Sequence, residues 1–244
     1  MSSDFKSNIL YSSYIRYMKT MISVFITSLI AISCVQKNDA KQSEVAVNSF
    51  SEKESVELSK FTEATFAAGC FWCVEGVFES VKGVEEAVSG YAGGEEKNPT
   101  YEQVGGGRTS HAEAVKVYYD SSVVDYPTLL KVFFASQDPT QVDGQGPDHG
   151  RQYRSIIFYR NENEKQIAEE YIAELNASGR YDAPIAAEIV PYTEFWLAED
   201  YHQDYIQKHP SDNNYVLYES IPRIKEFQIQ FPELIKPEKN LLDK

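Results

Sequence analysis

The chain has 244 residues, 42% of them hydrophobic and 13% aromatic, enough for one ordinary domain with appendages or two small ones. Its net charge of -14 repels a phosphate backbone and argues against nucleic acid as a partner. Three cysteines, one of them near the N-terminus, do not make a disulfide scaffold.

Residues 18–34 read "MKTMISVFITSLIAISC". Lys19 precedes an apolar run from Met21 to Ile32, too short to span a bilayer but of the length of a signal h-region. It ends in Ala31-Ile32-Ser33-Cys34, which resembles a bacterial lipobox whose cysteine is acylated, although Ala31 stands where leucine is most usual. The alternatives are a cleaved signal with an incidental cysteine, or an uncleaved anchor. The expectation is a signal segment over 1–34, with Met18 and Met21 as alternative starts and Cys34 as the lipidation site. Residues 35–60 are polar and lack Gly and Pro, as a tether of low order would. This places the protein in the cell envelope, in the periplasm and lipid-anchored. It would be cytoplasmic if the segment is not a functional signal.

The folded part is expected over 61–235, followed by a tail at 236–244. "ATFAAG" (64–69) reads as a buried strand. It runs into "CFWCVEGVFESV", where Phe71, Val74, Val77, Phe78 and Val81 recur at helical spacing. Cys70 therefore sits where a strand turns into a helix. "GVEEAVSGYAGG" is a second strand, and "NPTYEQVGGGRTSH" a long irregular loop of the kind that is commonly functional. "HAEAVKVYYD" alternates as a strand, and "YPTLLKVFFASQ" is an amphipathic helix. "DPTQVDGQGPDHGRQ" is a second long loop. Strand "YRSIIFYR", helix "NENEKQIAEEYIAELNAS" and strand "AAEIVPYT" follow, then helices at "AEDYHQDYIQKH" and "IPRIKEFQIQF". This order predicts an α+β fold. It would be a two-layer α/β sandwich with a ferredoxin-like core, a mixed or antiparallel sheet, and long active-site loops.

The stretch "GCFWCVE" holds Cys70 and Cys73 in a C-x-x-C. A thioredoxin-like dithiol also sits after a strand at a helix start, but here the domain is longer and carries two extended glycine-rich loops. Zinc needs four ligands, and His111, His149, His202 and His209 are dispersed, so no metal is expected. The third reading is a nucleophile with a helper. A helix N-terminus favours thiolate, which marks Cys70 as an exposed, low-pKa nucleophile. Cys73, three residues on and on the same helix face, is either a resolving thiol or a small packed side chain. Glu113 shares parity with Val115, Val117 and Tyr119, which puts its carboxyl on the apolar face of its strand and raises its pKa. Such an acid can donate a proton at neutral pH. The alternative is that it pairs with Arg108 or Lys116.

"GCFWCVE", "GYAGG", "NPTYEQV", "HAEAVKVYYD", "DPTQ" and "DHGRQYRS", in that order, resemble the A-type peptide methionine sulfoxide reductases, and "AEDYHQDY" also fits. The resemblance implies reduction of the S epimer of methionine sulfoxide, free or within proteins, with no cofactor. It implies that Cys70 attacks the sulfoxide sulfur and becomes a sulfenic acid. Glu113, Tyr101 and Tyr153 would serve the sulfoxide oxygen, with Asp148 in support. Phe71 and Trp72 would hold the S-methyl group. Many members carry glycine at the position of Cys73 and resolving cysteines in a C-terminal tail, and some have cysteine where Gly105 stands here. Residues 209–244 contain no cysteine. Either Cys73 resolves Cys70, or an external thiol reduces the sulfenic acid directly. The partners implied are oxidised envelope proteins and a thioredoxin-like reductant. Two rivals compete: a lipoprotein that only docks oxidised methionine, and a thioredoxin-type dithiol carrier.

Overall fold

The computed structural model of the protein describes residues 57–242. The signal segment with Cys34, and most of the 35–60 tether, lie outside the described residues. The folded part starts slightly before residue 61, since Leu58 is already buried. Among the described residues no helix is long and apolar enough to cross a membrane.

The core sheet is built from β1 (Thr62–Ala68), β2 (Val84–Ala92), β3 (Ala112–Tyr119) and β6 (Ser155–Tyr159). Their order is β6-β1-β3-β2, and all three neighbouring pairs are antiparallel. Helix α1 (Phe71–Glu79) connects β1 to β2, and α3 (Tyr126–Ala135) lies between β3 and β6. This is the expected ferredoxin-like arrangement. Two short strands extend it: β7 (Glu188–Pro191) runs parallel to β6, and β8 (Phe195–Leu197) runs antiparallel to β2. The sheet is therefore mixed.

Alternation along β3 sends Glu113, Val115, Val117 and Tyr119 to the helix side, where all four are buried. On that side Phe66 of β1 stacks between Phe78 of α1 (5.2 Å) and Phe133 of α3 (5.3 Å). Replacing the middle ring by alanine would cost about 3–5 kcal/mol, because the packed aromatics cannot all collapse into its space. The opposite face also has a small buried patch, formed by Ala67, Ala92, Ala112, Ala114, Ile156 and Phe158.

Helix α4 (Glu162–Ala177) is capped by Asn161, whose side chain accepts from the Glu164 amide. Helix α6 (Ile221–Gln230) continues from a π-helical turn at Val216–Ser220. Four sequence expectations need correction. The "NPTYEQVGGGRTSH" loop contains a short helix, α2 (Tyr101–Gly105), in which the Thr100 amide donates to Gln103 Oε1 (3.0 Å) in a capping box. The second long loop folds back as a small hairpin, β4 (Gly144–Gln145) with β5 (Asp148–His149). "AEDYHQDYIQKH" is not one helix. It is a 3-10 turn (Asp200–His202) and a short helix, α5 (Tyr205–Lys208), broken at Asp204, whose φ of 54° no helix accommodates. The tail is docked: Lys236 N–H donates to Ser80 O (2.8 Å), and Lys239 pairs with Glu79 (3.1 Å).

Candidate active site

Strand β1 ends at Ala68, and Gly69 turns the chain with φ +78°. A Cβ here would lie 2.5 Å from Gln145 Cβ, so only glycine lets the hairpin loop close over the strand end. Cys70 is the N-cap of α1, and its carbonyl accepts from the Cys73 (3.2 Å) and Val74 (3.4 Å) amides. The junction expected from sequence is therefore present.

Around it lies a cavity of about 210 Å³, lined by Cys70, Phe71, Trp72, Tyr101, Glu113, Asp148, Tyr153 and Tyr215. Seven of these eight are residues singled out from the sequence. They come from four regions: the start of α1, α2, β3, and the loop from β5 into the 3-10 turn Arg151–Tyr153. Gln152 holds the two loops together, its Nε2 donating to Gly105 O at 3.0 Å.

Glu113 is 2% exposed. Its Oε2 accepts the Phe71 amide at 3.1 Å, while Arg108 pairs with Glu102 and Lys116 lies nearest Glu63. The cation alternative is thereby removed. Burial pushes its carboxyl up to about 8, against the opposing pull of the Phe71 N–H. Glu113 is thus a protonated acid at neutral pH. Tyr101 is raised to about 12 and Tyr153 is raised as well, both chiefly by burial and then by the neighbouring Glu113. Both phenols keep their protons.

The thiols depart from expectation. Cys70 is 8% exposed rather than open to solvent. Burial, the hydrogen bond to Cys73, and the nearby Cys73 and Glu113 charges push its thiol up, outweighing the helix start. Cys73 is pulled down to about 6, first by the hydrogen bond from Cys70 and then, against burial, by the Arg223 charge and Ser220. Its sulfur lies 3.3 Å from Ser220 Oγ. The surroundings therefore favour ionisation at Cys73 over Cys70. Arg223 is fixed by its Nη2 donating to Ala68 O (2.9 Å) and its Nε donating to Ser136 O.

The residue missed is Tyr215, at the entry to the π-helical turn. Its hydroxyl donates to Asp148 Oδ2 at 2.5 Å, and its ring stands edge-on to Trp72. As one of 17 tyrosines in a segment read only for its lack of cysteine, it had no local signal. The Asp148 carboxylate is thus occupied by Tyr215 at the cavity wall.

Comparison with known proteins agrees with this geometry. A model of the family described as peptide methionine sulfoxide reductase matches residues 62–234. The chain belongs to the peptide methionine sulfoxide reductase family. It is 47% identical over 172 residues to peptide methionine sulfoxide reductase MsrA of Natronomonas pharaonis, covering 70% of this chain and 96% of that one. It is 45% identical over 175 residues to MsrA 2 of Synechocystis sp., covering 71% and 81%. Among solved structures, methionine sulfoxide reductase A of Corynebacterium diphtheriae superimposes with a TM-score of 0.56 at 36% identity, covering 62% of this chain and 76% of that chain. The family is one of oxidoreductases, and the fold and the enzyme class expected from the sequence both hold.

Proposed function

We propose that this protein reduces methionine-S-sulfoxide, free or in proteins, to methionine, with Cys70 as nucleophile and Cys73 as resolving thiol. The observation that carries this reading is the convergence on one small cavity of a thiol, a protonated carboxyl, two phenols and an aromatic wall. Sulfoxide sulfur is a poor electrophile until its oxygen is protonated or strongly hydrogen-bonded. Glu113 supplies that proton, and Tyr101 and Tyr153 donate to the same oxygen. Phe71 and Trp72 face the S-methyl group, which selects the epimer.

In the first step the Cys70 sulfur passes its proton to the neighbouring Cys73 and attacks the sulfoxide sulfur, forming an S–S bond to it. The methionine S–O bond then breaks as the protonated oxygen passes to the Cys70 sulfur, and the S–S bond breaks with its electron pair going to methionine, which leaves Cys70 as a sulfenic acid. In the second step Cys73 displaces the sulfenic oxygen, releasing water and forming a Cys70–Cys73 disulfide. Ser220 and Arg223 favour the thiolate of Cys73 for that attack. A dithiol of thioredoxin type then reduces the disulfide, and no bound cofactor is required.

Export and lipidation at Cys34 follow from the apolar run that ends there, with oxidised envelope proteins as the substrates. Mass spectrometry of the mature N-terminus tests this: a diacylglyceryl-Cys34 is expected, and an intact Met1, Met18 or Met21 would contradict it. The activity itself is tested with the folded domain, dithiothreitol and the separate epimers. Methionine is expected from the S epimer only. No product, together with reduction of insulin disulfides, would instead favour a dithiol carrier, and no product with bound sulfoxide a docking protein.

A further inference from the structure

The Cys70–Cys73 disulfide that ends the second step has two sulfurs, and the fold treats them unequally. The Cys73 N–H donates to Cys70 O (3.2 Å), which closes the turn between them. Across such a turn the Cα atoms lie within about 7 Å, inside the reach of a disulfide. The bond therefore forms without either cysteine leaving its place at the start of α1. Cys70 is 8% exposed and lines the cavity, whereas Cys73 is 1% exposed and does not.

Behind Cys73 the fold is closed. Helix α6 and the π-helical turn before it supply Ser220, 3.3 Å from the Cys73 sulfur and itself fully buried, with Val216 and Ile224 in the same core. One turn further along α1, Gly76 lets α6 come close: a Cβ there would stand 2.7 Å from Ile224 Cδ1. Two further cavities border these elements. One, of about 330 Å³, lies at Arg223 and Gln145, and the other, of about 460 Å³, lies at Gly76 and Ile224. Cys73 lines neither.

We propose that the reductant enters by the substrate's own opening, so that its thiolate attacks the Cys70 sulfur of the disulfide and Cys73 is the sulfur that leaves. The first sulfur of the reductant bonds to Cys70, and the Cys70–Cys73 bond breaks with its electron pair going to Cys73 as a thiolate. The second thiol of the reductant, deprotonated in turn, attacks the first. That breaks the bond to Cys70, which leaves with the electron pair and takes a proton. Two electrons have then passed from the dithiol to the enzyme, and both cysteines are reduced. The leaving order suits the surroundings. Cys73 is drawn towards thiolate first by the Cys70 hydrogen bond and then by Arg223 and Ser220, and the last two remain when Cys70 is tied to the reductant. Burial, Cys73 and Glu113 all oppose a thiolate on Cys70. Exchange is faster when the sulfur that leaves is the better thiolate. Attack on Cys73 would need a path through α6 and would expel the worse leaving group. A cavity of about 210 Å³ admits little more than one side chain, so the partner is a dithiol protein that presents its cysteine at a protruding tip. Sulfoxide and reductant then use one opening in turn. The step rests on the resolving role of Cys73 proposed above.

The test traps the intermediate. The full chain is oxidised with methionine-S-sulfoxide and freed of it. One portion is mixed with a thioredoxin whose second active-site cysteine is replaced by serine, and another with limiting 2-mercaptoethanol. Each reaction is stopped in acid and the freed thiol is alkylated. Fragmentation of the peptide that holds both cysteines then locates the adduct and the alkyl group. The adduct is expected on Cys70 and the alkyl group on Cys73, in at least about tenfold excess over the reverse. An adduct on Cys73, or an even mixture, overturns the proposal while the resolving role stands, since a disulfide was there to open. A Cys70 adduct with 2-mercaptoethanol alone would contradict the protein partner. If the oxidised chain holds no Cys70–Cys73 disulfide, the resolving role fails and the proposal with it.

Discussion

The two sulfurs of the first turn of α1 have opposite surroundings. Cys70 faces the cavity, with a protonated carboxyl, two phenols and aromatic rings around it. Cys73 faces the C-terminal part of the fold, where a hydroxyl at 3.3 Å and a guanidinium draw negative charge to it. Three residues of helix are enough to separate a sulfur that lines the cavity from one whose ionisation its neighbours favour.

The contrast can be broken at five points. Cys70→Ser should abolish turnover, a loss of at least about 10³-fold, while Cys73→Ser should still release one methionine per enzyme in a single-turnover assay. Glu113→Gln keeps an acceptor for the Phe71 amide but removes the proton, and the reductive step should slow by about 10²–10³-fold. The same residue sets a pH dependence. Glu113 is active protonated, so the reductive rate should fall as pH rises through about 8. Its folded-state value lies above the usual 4.5, so the folded protein holds more protons than the unfolded one between the two. Stability should therefore fall as pH rises across that window, by up to about 5 kcal/mol from Glu113, and the slope should flatten in Glu113→Gln in urea titrations, leaving the part that Glu75, Glu79 and Glu86 contribute. Cys73→Ser should slow steady-state cycling with a thioredoxin-type reductant by about tenfold or more, and full cycling would remove its resolving role. Tyr153→Phe, which deletes one of two phenol donors, should cost about tenfold in kcat/KM. Ser220→Ala should be the mildest: the pH midpoint for alkylation of Cys73, measured in Cys70→Ser, should move upwards, with first-turnover methionine release unchanged.

Much of this site could be read in the sequence because local rules and long-range structure agree there. Alternation along β3 placed Glu113 on the buried face, and helical spacing after Gly69 placed Cys70 at the N-cap. Other parts depend on contacts between distant segments. Nothing near Tyr215 in the chain announces Asp148, and the hydrogen bond between them joins residues 67 apart. The helical pattern at Glu199–Lys208 lost to anchoring by Trp72, on which the Tyr205 ring stacks, and by Ser89, whose backbone pairs with the Gln203 side chain, and no periodicity encodes either. The ordering of the two thiols failed for a related reason. A helix N-terminus is visible in sequence, but the burial of Cys70 and the approach of Arg223 to Cys73 are tertiary facts, and they outweigh it.

The most direct measurement is a single turnover. Reduced enzyme is mixed with excess methionine-S-sulfoxide and no reductant, and the peptide holding Cys70 and Cys73 is weighed. One methionine per enzyme is expected, with a peptide two hydrogens lighter that alkylating reagents no longer label at either cysteine. Methionine release that leaves Cys73 alkylatable and Cys70 as a persistent sulfenic acid would contradict the division of labour between the two sulfurs.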